Sequence, residues 1–124
     1  MADESPKSVI DRFYASIAKK TDEWKELWAD DAVFYGGSGK LHEEGKAACI
    51  ASFTPFLKGV AGLEVRQTII QGPIACYAVS YDYVNSKGEK LHQDDAEIWE
   101  VRGGKLAKLT IYFDTTEYRS FMMR

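Results

Sequence analysis

Cysteine, histidine, proline and clustered positive charge are all scarce in this chain of 124 residues. The two cysteines, Cys49 and Cys76, fall outside any CxxC spacing. They read as buried free thiols in a reducing compartment, with a structural disulfide as the lesser alternative. The two histidines, His42 and His92, lie far apart, and no spacing among His, Cys and carboxylate residues matches a metal site. Sixteen Lys and Arg against nineteen Asp and Glu leave a net charge of −3. Without a basic stripe there is no electrostatic footprint for nucleic acid. The opening MADESPKS lacks the apolar core of a secretory signal, and no apolar run approaches membrane-spanning length. A cytoplasmic, soluble protein without membrane partners is the expectation. Ser38 is not framed by GxSxG, and Gly36-Gly37-Ser38-Gly39 lacks the Lys and Ser/Thr of a phosphate loop. That run reads as an ordinary turn, or else as the flexible lip of a pocket.

What the chain does have is aromatic surface: 3 Trp, 7 Tyr and 6 Phe. Aromatic rings are costly to leave in water and form rigid walls, whether of a core or of a pocket. The length suits one domain over residues 1–124.

Ser5-Pro6 supplies an N-cap and a Pro at the first helical position, and Val9, Ile10, Phe13, Tyr14 and Ile17 follow with helical spacing. Thr21 is a cap for a second helix with Trp24, Leu27 and Trp28 on one face, ending near Ala29-Asp30-Asp31. A short strand is expected over Ala32 to Tyr35. A third helix is expected from Gly45 to Lys58, with Ile50, Phe53 and Leu57 inward and a break or kink at Pro55. The texture then changes to strands over Leu63–Gln71, Ile74–Val84, Glu89–Arg102 and Lys105–Phe113. The turns between them are Gly72-Pro73, Asn85-Ser86-Lys87-Gly88 and Gly103-Gly104. Asp114-Thr115 caps a last helical turn reaching Tyr118 and Phe121. Helices first and hairpin-linked strands after predict an α+β fold, with helices on one face of an antiparallel sheet.

Strand parity separates two faces. One carries Tyr77, Val79, Tyr81 and Tyr83, then Gln93, Asp95, Glu97, Trp99 and Val101, then Leu109, Ile111 and Phe113. The other carries Ala78, Ile98, Thr110 and Tyr112 and is not cleanly polar, although a wet sheet face should be. A homodimer through this outer face is the simplest cover.

The text Ile10-Asp11-Arg12-Phe13-Tyr14, then Leu27-Trp28-Ala29-Asp30-Asp31-Ala32, then Val79-Ser80-Tyr81-Asp82-Tyr83 carries a resemblance over nearly the whole chain. It closes with Ile98-Trp99-Glu100-Val101-Arg102-Gly103-Gly104-Lys105-Leu106 and Ile111-Tyr112-Phe113-Asp114. The chain resembles the nuclear transport factor 2-like superfamily, in the branch of ketosteroid isomerases and SnoaL-like polyketide cyclases. The resemblance implies a cone-shaped, curved sheet wrapped around N-terminal helices (the cystatin-like arrangement) and a small apolar ligand. Fold does not fix chemistry in such families. The ketosteroid isomerase base would fall on Gly36 and is absent. The oxyanion tyrosine would fall on Phe13, one residue from Tyr14, and the second donor, a protonated acid, on Glu97. The last acid of an epoxide-hydrolysing Asp–Arg–Asp set would fall on Ile111.

Asp95 and Glu97 share a strand face, roughly 6.5–7 Å apart at Cα. Among apolar neighbours, desolvation and a second nearby carboxylate both disfavour ionisation, so one of the pair would hold a proton near neutral pH. A bulge that shifted parity would instead leave both in water. Glu97 is the candidate acid or donor and Asp95 its partner base, with Tyr14 an orienting donor. Tyr77 and Tyr81 either bond a ligand oxygen or simply pack. Trp99, Phe34, Phe53, Ile111 and Phe113 complete the candidate substrate wall. Asp114 reads as an N-cap before it reads as a catalytic acid, and His92 turns outward. These residues predict a cofactor-free acid–base enzyme of isomerase, dehydratase or cyclase type, acting on a small apolar cyclic or carbonyl compound. The alternative is a non-catalytic ligand-binding or association domain of the same fold.

Overall fold

The computed structural model describes residues 4–36 and 41–123. Helix α1, Pro6–Lys19, starts as its sequence requires: the Ser5 hydroxyl accepts from the Ser8 amide, and Pro6 needs no partner. It buries Val9, Ile10, Phe13, Tyr14 and Ile17 and stops at Lys20, which is left-handed at φ 58°. Helix α2 is one turn, Glu23–Glu26. Thr21 does not cap it; the Thr21 and Ser16 hydroxyls lie 2.8 Å apart.

Strand β1 runs Trp28–Gly36, starting where a helix is expected to end. The three- and four-residue spacing of Trp24, Leu27 and Trp28 imitates a helical stripe. Trp28 is instead buried from a strand, and Asp30 and Asp31 lie exposed in an irregular stretch of it. The three-residue β2, His42–Glu44, pairs back on β1 and has no counterpart in the sequence reading. Helix α3, Lys46–Lys58, passes through Pro55 without a break. The carbonyl that Pro55 leaves unpaired belongs to exposed Ala51, where solvent can satisfy it. Cys49 and Phe53 are its buried residues, while Ile50 and Leu57 are only half-buried.

Four long strands follow: β3 Val60–Gln71, β4 Ile74–Val84, β5 Lys90–Arg102 and β6 Lys105–Tyr112. They form one open, curved six-stranded sheet in the order β2-β1-β6-β5-β4-β3. Pairing is antiparallel except at one seam, since β1 runs parallel to β6 with Phe34 beside Leu109. An antiparallel sheet throughout is therefore a slight oversimplification, because the first strand re-enters beside the last. Register shifts in β3 and between Glu100 and Val101 are bulges that bend the sheet. The last helix, α4, spans Thr115–Met122, and Asp114 caps it by accepting from the Glu117 amide.

The core lies between the helices and the concave face of the sheet. Phe13 is its hub, meeting Trp99 at 4.9 Å, Phe53 at 5.5 Å and Trp28 at 5.9 Å between ring centroids. On the opposite face Ile69, Ile74, Ile98 and Tyr112 are 37–59% exposed around Cys76, Ala78 and Ala96. Both cysteines are free. No helix among the described residues is long and apolar enough to cross a membrane.

Candidate active site

Strand β5 alternates buried and open positions along most of its length, and its odd members Gln93, Asp95, Glu97 and Trp99 are each at most 4% exposed. No bulge intervenes between Lys90 and Glu100, so parity holds and both acids enter the concave side. Glu97 lies across from Tyr77 on β4 and Ile111 on β6. Its carboxyl accepts from two phenols, Tyr14 of α1 at Oε1 and Tyr81 of β4 at Oε2, 2.9 Å away. Trp99 Nε1 donates to the Tyr14 oxygen at 2.9 Å and fixes that hydroxyl in turn. Burial pushes Glu97 up to about 7, against the two phenol donors, which favour the anion. Tyr14 and Tyr81 are themselves held well above the usual tyrosine range by burial and by the adjacent carboxylate.

Asp95 differs in kind. Its neighbour across β4 is Val79, and neither carboxyl oxygen has a hydrogen-bond partner among the described residues. Burial, then Glu97, then Asp94 push it up to about 8. No donor among the described residues offsets the burial of the Asp95 anion, whereas two phenols offset that of Glu97. Tyr77 turns away from the pair, and its hydroxyl donates to Asp11 at 2.9 Å.

Next to these acids is a cavity of about 270 Å³, near the small end of ligand pockets. Phe34, Phe53, Ile111 and Phe113 line it. Trp99, Tyr81, Tyr77, Tyr14, Asp95 and Glu97 do not line it; they form the packed layer behind. Ile111 belongs to both layers, since it faces the cavity and neighbours Glu97. The sequence reading missed Phe56 and Tyr118, which also line the cavity. Their rings, 6.0 Å apart, rest on Tyr83 at 5.6 and 5.2 Å. Phe56 lies one turn beyond Phe53, where the anticipated break at Pro55 hides it.

Gly36 ends β1, and a Cβ there would come within 2.6 Å of the Leu41 side chain. Any carboxylate at that position would displace Leu41, another residue of the cavity wall. The remainder of the glycine run, Gly37 to Gly39, lies outside the described residues. His92 does point outward, between Asp82 at 2.8 Å and Asp94 at 3.2 Å. Among the described residues no group of three His, Cys, Asp or Glu side chains is placed to hold a metal ion.

A curved open sheet with its helices on the concave side, closing over a buried acidic pair, defines a protein of the nuclear transport factor 2-like superfamily. Within it, the SnoaL-like domain matches residues 10–109, and the chain belongs to that family. Its fold is shared with TerC, a protein crystallised with polyporic acid, at 18% identity and TM-score 0.81 over 97% of this chain and 100% of that one. An NTF2-like protein of Burkholderia pseudomallei superposes at TM-score 0.83, with 13% identity over 96% and 98% of the two chains. SalBIII, an epoxide hydrolase/cyclase-like enzyme with a role in pyran ring formation in salinomycin, gives TM-score 0.81 at 17% identity, over 94% and 96%. No curated protein matches the chain.

Proposed function

We propose that this protein binds a small apolar cyclic or carbonyl compound and moves protons on it by acid–base chemistry, in the manner of an isomerase, dehydratase or cyclase. The observation that carries the reading is Asp95, a buried carboxyl without a partner among the described residues, beside a second carboxyl that two phenols hold. Two carboxyls this close do not both ionise readily near neutral pH. The environments favour Asp95 as the protonated partner and Glu97 as the held anion, the reverse of the roles that the family resemblance implies. Asp95 would give its proton to the carbonyl oxygen, and the carboxylate so formed would take the α-proton from carbon, so that the ketone becomes its enol and Asp95 is protonated again. Tyr14 and Tyr81 keep Glu97 in place, and the aromatic cavity excludes water from the ring. The reading needs no cofactor. A cyclase-like enzyme that shares the fold is compatible with it.

Deuterium uptake at the α-carbons of cyclic ketones and enones in D2O, followed by NMR, tests this directly. The wild type is expected to accelerate exchange, and Asp95→Asn and Glu97→Gln to slow it by about a hundredfold or more. Exchange that is indifferent to both substitutions would remove the acid–base assignment. A second reading has its own support: Asp95 and Glu97 do not line the cavity, as suits a binder that performs no chemistry. Thermal stabilisation by such compounds with no exchange would favour it. In either case the apolar outer face is proposed to pair two copies of the chain.

A further inference from the structure

Three polar groups on the concave face are buried without hydrogen-bond partners among the described residues: both oxygens of Asp95, the hydroxyl of Tyr83 and Oε1 of Gln93. Their residues are 3%, 0% and 4% exposed. Native proteins rarely leave such atoms unpaired, because each forfeits its solvation on folding. The three are grouped. Gln93 and Asp95 are alternate residues of β5 on one face, and Tyr83 shares that face on β4, two residues from Tyr81, which pairs with Gln93. The Gln93 amide cannot be turned to hide its oxygen. Its nitrogen donates to the Asp114 carbonyl at 3.0 Å and to Glu117 Oε1 at 3.1 Å, so Oε1 is left as an acceptor only. Among the described residues no Lys, Arg or His bonds to any of the three. Tyr118 connects this group to the cavity: it lines the cavity, packs edge-on against Tyr83 and lies close enough to feel the Asp95 charge.

We infer that Asp95, Gln93 and Tyr83 form a hydrogen-bonding pole, with Gln93 Oε1 as its fixed acceptor and the Asp95 carboxyl and Tyr83 hydroxyl able to donate or accept, that receives an O–H or N–H group at one end of the ligand, whose apolar ring occupies the neighbouring cavity. The inference rests on the cavity being a ligand site, as proposed above, and adds the chemical class: an aromatic or alicyclic molecule bearing a hydroxyl or a protonated amine. Such a ligand would turn Tyr118 aside and pair the atoms that the protein leaves unpaired. The preference follows from desolvation. A hydroxyl buried in an apolar cavity without a partner costs affinity, so a cavity lacking this pole binds the bare hydrocarbon better than its alcohol.

Four probes that share one ring separate the possibilities: ethylbenzene, 2-phenylethanol, 2-phenylethylamine and phenylacetate, titrated against the full chain by NMR. The alcohol or the amine is expected to bind about tenfold or more tightly than ethylbenzene, with phenylacetate weakest. Which of the two leads identifies a neutral or a charged donor, and both outcomes support the pole. Asp95→Val should bring the ratio of alcohol to ethylbenzene affinity down to about one or below, and Tyr83→Phe should reduce it by about threefold. Ethylbenzene binding as tightly as both donors in the wild type overturns the inference and leaves the cavity reading intact. Binding of none of the four overturns both.

Discussion

Changing Asp95 to Asn should alter how stability depends on pH more than any other single substitution. The carboxyl rises from an ordinary 3.8 to about 8 in the folded protein. At low pH it is protonated in both the folded and the unfolded chain and contributes nothing to the difference between them. Between about pH 4 and 8 the unfolded chain gives up the proton while the native state keeps it, so stability falls as pH rises; above that window the loss is complete. At pH 7 the unfolded group has passed its own pKa by about three pH units, at about 1.36 kcal/mol each, a cost of about 4 kcal/mol. That is a large share of the usual total of about 5–15 kcal/mol. Asp95→Asn keeps the shape and removes the titration. Urea unfolding of both proteins between pH 4.5 and 7 should give a variant curve shallower by about 3 kcal/mol, because about 1 kcal/mol of the cost is already present at pH 4.5, or on the order of 10 °C in melting temperature. Part of the slope should remain. Glu97, pushed up to about 7, acts in the same direction, and so does exposed His92, whose cation Asp82 and Asp94 favour. Parallel curves for the two proteins, or a wild type that grows more stable from pH 4.5 to 7, would refute the reasoning.

Two further outcomes follow from the geometry. Tyr14→Phe removes a donor to Glu97 and the acceptor of Trp99 Nε1; it should cost about 1–3 kcal/mol in equilibrium unfolding, and a neutral result would mean the buried network carries little. Ile98→Glu, on the exposed face, should yield monomers in sedimentation at concentrations where the wild type is dimeric. A wild type that is already monomeric at tens of micromolar would dispose of the pairing.

Much of the fold was legible because its signals are local. The Ser5-Pro6 start, the hairpin turns and the Asp114 cap each depend on residues within a few positions of one another, and all recur in the structure. The acids were legible through strand parity, since β5 is regular where they lie. The failures came from contacts remote in sequence. Nothing near Trp28 announces that Leu106, 78 residues later, will take it out of a helical pattern and pair with it. Likewise, the difference between the surroundings of Asp95 and Glu97 depends on Tyr14 and Tyr81, two hydroxyls delivered by other elements. Pattern shows which side of a strand a carboxyl occupies; it does not count the donors waiting there.

The parallel seam between β1 and β6 also governs the order in which the molecule can be made. Phe34 finds its neighbour Leu109 about 75 residues later, so on the ribosome the first long strand emerges well before the strand it lies against. Until then it has only the three residues of β2 for sheet pairing. Closing so wide a loop is slow, and the waiting strand is an open edge. Nascent chains arrested before Lys105 should therefore be the ones that chaperones hold.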